Sequence, residues 1–152
     1  MTAHDARIGI ARSVFAAWSS GDADAPEPYF TDDAVLSDTG SGRFEGWPAI
    51  RAFFAAGLTV WSDLLLAPDE YFTNPDGVAV HYWMSATITD PAMHGPDLVG
   101  RRWEVEVMSY LRFRGSQVCY EVDVHDRDAR LKSLGLKPWL GVAPQRDPFH
   151  IR

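Results

Sequence analysis

The chain has 152 residues, a formal net charge of −7, and 46% hydrophobic and 12% aromatic residues. That is the size and composition of one soluble globular domain with its own core. The acidic balance, with Arg residues scattered among acids and no basic stripe, argues against nucleic acid as a partner. No apolar run reaches membrane-spanning length, and the N-terminus lacks the basic-then-apolar layout of a secretory signal. The single cysteine, Cys119, excludes an intrachain disulfide and a Cys-rich zinc site. A cytoplasmic protein with no membrane contact is the expectation.

The first helix is expected from Asp5 to Ser19, with Ile8, Ala11, Phe15 and Trp18 at helical spacing. Ser20-Gly21-Asp22 ends it. Pro26 to Phe30 predicts a short second helix started by proline. Ala34 to Asp38 reads as a strand, Thr39 to Gly42 as a loop, and Phe44 to Gly46 as a small strand. Trp47-Pro48 opens a third helix, whose apolar stripe is Ile50, Phe53, Phe54, Leu58 and Trp61. Four β segments follow: Leu64 to Thr73, Val78 to Thr89, Val99 to Arg114, and Val118 to Asp126. Asn74-Pro75-Asp76-Gly77 and Arg114-Gly115-Ser116 are tight turns between antiparallel neighbours. Helices first and long strands after imply an α+β fold, a curved, mostly antiparallel sheet wrapped round the helices as a cone. Residues 1–135 read as one domain. Residues 136–152 read as a tail in which Trp139, Phe149 and His150 cap the pocket or reach a partner.

The last strand carries the chemistry. Side chains two apart on a strand point the same way, about 7 Å from one another. Glu121, Asp123 and His125 therefore form one row, with Cys119 beside them, and Val118, Tyr120, Val122 and Val124 form the opposite face. Facing water, the row is ordinary surface; facing a cavity, it is the material of general acid–base catalysis. On the second long strand, His81, Trp83, Ser85 and Thr87 share one face and Tyr82, Met84 and Ala86 the other. Alternation does not say which looks inward. Asp38 before Thr-Gly is equally a turn residue or a catalytic one, and His125 equally a pocket base or a rim residue bonded to Asp126 or Asp128.

The order of three segments resembles the nuclear-transport-factor-two-like superfamily, which includes SnoaL-like polyketide cyclases, steroid Δ-isomerases and limonene-epoxide hydrolases. These are Phe15 to Asp22, Tyr29 to Val35 and Phe44 to Phe54. The closing segment Asp126 to Gly135 is similar to the end of SnoaL-like domains. The resemblance implies a functional site in the hollow of the cone and a homodimer. It implies that Asp38 stands where the isomerases carry their base, and that Asp123 is the closest match to an essential Asp of the cyclases and epoxide hydrolases. The isomerase oxyanion hole does not carry over, because its two donors fall on Val14 and Ser109. An epoxide-hydrolase Arg-x-Asp pair is also missing, with Arg101 a weak substitute for orienting an acid.

The catalytic residues expected are Asp123, His125 and Asp38. The substrate-binding residues expected are Val14, Trp18, Tyr82, Trp83, Trp103, Ser109 and Glu121. No metal is expected, since Asp123-x-His125 lacks further ligands, and no nucleotide cofactor, since no phosphate loop follows a strand. The function expected is cofactor-independent acid–base chemistry (aldol-type cyclisation or its reverse, isomerisation, dehydration) on a small, apolar, aromatic or polycyclic molecule. The alternative is a non-catalytic ligand-binding or dimerisation module of the same fold.

Overall fold

The structure is a computed structural model that describes residues 3–146. Helix α1 (Ala3–Trp18) buries Ala11, Val14, Phe15 and Trp18 on one side, as a 3.6-residue period dictates. A single 3-10 turn (Glu27–Tyr29) leads into β1 (Phe30–Asp38), and β2 (Gly42–Glu45) folds back on it. Helix α2 (Trp47–Val60) has its proline in the first turn, where no amide donor is needed, and buries Trp47, Ile50 and Phe54. Strands β3 (Trp61–Thr73) and β4 (Gly77–Ile88) follow. A one-turn helix α3 (Pro91–His94) and a 3-10 turn (Pro96–Leu98) fill the irregular connector. Strands β5 (Arg102–Arg114) and β6 (Gln117–Val124) precede helix α4 (Arg127–Ser133).

The six strands make one sheet in the order β2-β1-β6-β5-β4-β3. Every neighbouring pair is antiparallel except β1 and β6, which run parallel. Register shifts interrupt the ladders at Ser62/Leu65, Pro68/Glu70, Arg112/Phe113 and Phe30/Val35. Such irregularities bend the strand that carries them, which curls the sheet round the helices. Pro68 is tolerated because β3 is an edge strand and needs no donor on its free side. At Gly77 a Cβ would lie 2.2 Å from the Leu111 carbonyl oxygen, so only glycine admits β5 this close to the turn.

The core lies between the concave sheet face and the helices. Trp18 contacts Phe30 and Phe54 edge-on at 5.5 and 4.5 Å, and Phe30 stacks on Trp47 at 5.6 Å. Phe15 meets Tyr82 at 4.7 Å. Each aromatic pair adds roughly 0.5–1.5 kcal/mol beyond the area it buries. On β5, Trp103, Val105, Val107, Ser109 and Leu111 are buried, while Arg102, Glu104, Glu106, Met108 and Arg112 are exposed. This is the alternation expected of a sheet with one wet face. Among the described residues no helix is long and apolar enough to cross a membrane.

Three expectations need correction. Val118 does not share a face with Tyr120, Val122 and Val124. The register shift beside Arg112 moves it inward, where it is fully buried on the side of Glu121. Arg101 orients no acid; its guanidinium donates to the Leu134 carbonyl at 2.6 Å and ties down the end of α4. Trp83 lies on the outer face of β4, roofed by Arg146, whose guanidinium sits 5.4 Å from the ring centre. Arg146 also reaches Asp69 at 3.4 Å and Glu104 at 3.6 Å, and Lys132 lies over Trp139 at 5.2 Å. The described part of the tail thus meets α4 at Trp139 and the outer sheet face at Arg146, with Leu140 and Val142 exposed between them. Phe149 and His150 lie outside the described residues.

Candidate active site

A cavity of about 510 Å³ opens between the concave sheet face, α2 and α4, within the range of roughly 300–1,000 Å³ common for small-molecule sites. Its wall is mostly apolar: Trp18, Leu36, Phe53, Phe54, Trp61, Met84 and Trp103 contribute. Into it project Asp38, Tyr82, Glu121, Asp123, His125, Arg127 and Arg130. Two strands bring the acids together. Asp38 and Asp123 are register partners on β1 and β6, so both point to the same side, and His125 follows two residues on.

His125 Nε2–H donates to Asp38 Oδ2 at 3.0 Å, and both side chains are nearly enclosed, with 12% and 10% of their area exposed. Thr39 fastens this end of β6 to β1: its amide donates to the Asp123 carbonyl at 3.0 Å, and its hydroxyl accepts the His125 amide at 3.0 Å. Asp38 Oδ1 accepts from the Gly40 amide at 2.8 Å. Burial works against the Asp38 charge, but the hydrogen bond and charge of His125, aided by Ser41 and Gly40, outweigh it and hold the carboxyl below its ordinary value. The Asp38 hydrogen bond raises the His125 pKa above its ordinary value despite burial. Each shift favours the charged form of its group, so the pair is drawn toward a carboxylate–imidazolium contact.

Asp123 behaves oppositely. Desolvation pushes its carboxyl up to about 6, against a lowering hydrogen bond from Ser109 and with the charge of Asp38 adding to the rise. The Ser109 hydroxyl donates to Asp123 Oδ1. Ser109 has one proton and spends it there, so Tyr82, 3.1 Å away, donates its phenolic proton to Ser109. The buried Tyr82 has its own pKa raised well above the ordinary value by desolvation and by Asp123, so it stays a donor. Glu121 is 2% exposed, and desolvation and the Asp123 charge raise its pKa well above the ordinary value. Its Oε2 has no hydrogen-bond partner. Among the described residues no group of His, Cys, Asp and Glu is arranged to hold a metal ion.

The family model of the SnoaL-like domain matches residues 11–121. The chain belongs to the SnoaL-like domain family. No curated protein matches the sequence. Solved structures share the fold at low identity. A Catenulispora acidiphila protein with a ketosteroid isomerase-like fold, in complex with trimethylamine, has a TM-score of 0.73 at 19% identity, over 87% of this chain and 97% of that one. A Xanthomonas campestris protein provisionally named a polyketide cyclase has a TM-score of 0.77 at 16% identity, over 88% and 99%. A Streptomyces galilaeus protein provisionally named a hydroxylase has a TM-score of 0.76 at 22% identity, over 91% of each chain.

Within this SnoaL-like domain, Asp38, Asp123, His125, Glu121, Tyr82, Trp18 and Trp103 all line the cavity. Three expected contact residues do not. Val14 is sealed in the core of α1, fully buried. Ser109 stands behind Asp123 and bonds it, out of reach of a ligand. Trp83 is on the other face of the sheet, because Val80, Tyr82 and Ala86 take the inward register of β4. Arg127 and Arg130 were not anticipated. No helix was read over them; the signal that could have found it is Asp126 as an N-cap, which accepts the Asp128 amide at 2.8 Å, while nothing local places α4 over the cavity mouth.

Proposed function

We propose that this SnoaL-like protein is a cofactor-independent acid–base enzyme of the cyclase type, acting on a small, largely apolar aromatic molecule. The observation that carries the reading is the division of labour between two register partners. Asp123 titrates near neutrality at about 6, while Asp38 is committed to a charged pair with His125. A base poised near the working pH combines a useful ionised fraction with proton affinity.

In the proposed reaction the Asp123 carboxylate takes a proton from a carbon beside a substrate carbonyl. The C–H electron pair becomes an enolate, whose oxygen accepts a hydrogen bond from the protonated form of Glu121 that burial favours. The enolate carbon attacks a second carbonyl of the same molecule and forms the ring C–C bond. His125 gives its proton to the resulting alkoxide, and proton return from Asp123 to His125 restores the site. Isomerisation and dehydration use the same first step. The apolar wall supports the aromatic substrate class, and an enclosed site strengthens each polar contact made within it. Two copies pairing across the outer sheet face belong to the same proposal. Met108 and Val124, exposed cross-strand partners there, support it, and light scattering of the purified protein reads it.

The experiment is proton exchange and turnover on a panel of aryl ketones and aromatic keto-esters in D2O, followed by NMR. The wild type is expected to introduce deuterium beside the carbonyl, and Asp123→Asn to slow this by about 100-fold or more. Ligands that bind and are recovered unexchanged would overturn the reading in favour of a binding module, and an unchanged rate in the variant would overturn Asp123 as the base.

A further inference from the structure

Among the described residues, the Arg130 cation in the cavity wall has no ion-pair partner. The Arg130 guanidinium rests over two indoles, 4.9 Å from the Trp61 ring centre and 5.7 Å from that of Trp103. The two rings meet edge to face at 5.3 Å. Stacking satisfies the faces of a guanidinium. It does nothing for the N–H groups, which lie in the plane and need acceptors at the edge. Arg130 Nε is buried with no hydrogen-bond partner. Elsewhere the chain supplies such partners: Arg51 grips Asp24, Arg114 grips Asp33, and Arg101 holds the Leu134 carbonyl.

The acid whose charge acts on Arg130, Asp38, and its register partner Asp123 are already engaged. Asp38 is held by His125 and Gly40, and Asp123 by Ser109. Arg127 makes the deficit worse. It stands three residues earlier on α4, lines the same cavity, and its charge opposes that of Arg130. Like charges at this spacing on a helix repel. An anion from outside the chain, meeting the guanidinium where it lines the cavity, relieves the repulsion.

We propose that Arg130 receives a carboxylate of the bound molecule, so that the substrate of this site is an aromatic carboxylic acid with its charged end at α4 and its ring among Trp61, Trp103 and Phe54. This rests on the reading of the cavity as the substrate site and narrows the substrate class within it. The indoles hold the guanidinium flat, which presents its edge as a fixed fork to a carboxylate.

The test compares 2-naphthoate with 2-naphthamide, which have nearly the same shape but differ in charge. Binding is measured by calorimetry at about pH 5.5, where a carboxylic acid ligand is ionised and Asp123 is largely neutral. The wild type is expected to bind the acid about ten-fold more tightly than the amide or better. Arg130→Gln should bring the two within about two-fold, and Arg130→Lys should keep part of the preference. The wild-type ratio decides even if Arg130→Gln fails to fold. Equal affinities in the wild type, no binding of either probe, or an intact preference in a folded Arg130→Gln each overturns the proposal. Asp123→Asn separates it from the catalytic reading: that variant should keep the preference for the acid, whatever becomes of proton exchange.

Discussion

Asp38 and Asp123 are register partners on adjacent parallel strands, yet one is held ionised and the other pushed toward neutrality. Their second partners make the difference. Asp38 meets a histidine able to carry charge, whereas Asp123 meets a serine hydroxyl in an apolar wall. Two carboxylates this close also repel, so fixing the charge on one raises the proton affinity of the other.

Asp38→Asn removes the anion that raises the His125 pKa. Burial and the charge of Arg130 then act against the imidazolium with only Asp123 in its favour. The His125 pKa is expected to fall, which lowers the share of imidazolium able to give a proton. NMR titration of the His125 ring protons reads the fall, and turnover should drop by about 10- to 100-fold. A His125 pKa unchanged in this variant would dissolve the pair as a functional unit.

Turnover should depend on pH through Asp123. Its basic form is the ionised one, so kcat/KM is expected to rise with pH through a midpoint at about 6. Ser109→Ala deletes the hydrogen bond that favours ionisation and should move that midpoint upward while leaving the rate at high pH largely intact. The kcat/KM profiles of both proteins from about pH 4.5 to 9 check this. A midpoint that moves down, or a profile independent of Asp123, contradicts the assigned base.

Much of this arrangement was legible in the sequence, and the rest failed for definable reasons. Period-two spacing put Glu121, Asp123 and His125 in one row, and they do line the cavity. It misplaced Val118, because alternation assumes an uninterrupted ladder and a register shift reverses it. Tyr82 and Trp83 could not be told apart, since both are large, aromatic and buried, one by the core and the other by Arg146. The Asp38–His125 bond needed the parallel pairing of β1 with β6, which joins residues 87 apart in sequence and which no local pattern encodes. Arg130 was invisible for the same kind of reason: its stacking partners, Trp61 and Trp103, come from two other strands.

Gly40 is glycine for lack of space. A Cβ there would lie 2.7 Å from His125 Cε1 and 3.1 Å from Nε2. The imidazole must move, and moving breaks its bond to Asp38. Gly40→Ala is therefore expected to act as a displaced-histidine variant, with activity lower by about 10-fold or more and the His125 pKa reduced, while the melting temperature changes little because the site is at the cavity rim. A crystal structure of the variant with the 3.0 Å bond intact would count against this account.

Asp123→Asn should make the protein more stable as it makes it less active. The folded pKa of Asp123 is raised, from an ordinary 3.8 to about 6. Below pH 4 the carboxyl is protonated in both folded and unfolded chains, and burial costs little. As pH rises from about 4 to about 6, the unfolded chain releases its proton first, so folding stability falls across that window and stays reduced above it. Asparagine never ionises and still offers Ser109 an acceptor. Urea denaturation is expected to find the variant more stable at pH 8, by at most roughly 3 kcal/mol for a shift of this size, with the gain vanishing near pH 3. A gain equal at both pH values would trace the effect to packing, and no gain at pH 8 would mean that Asp123 is not held near neutrality by its surroundings.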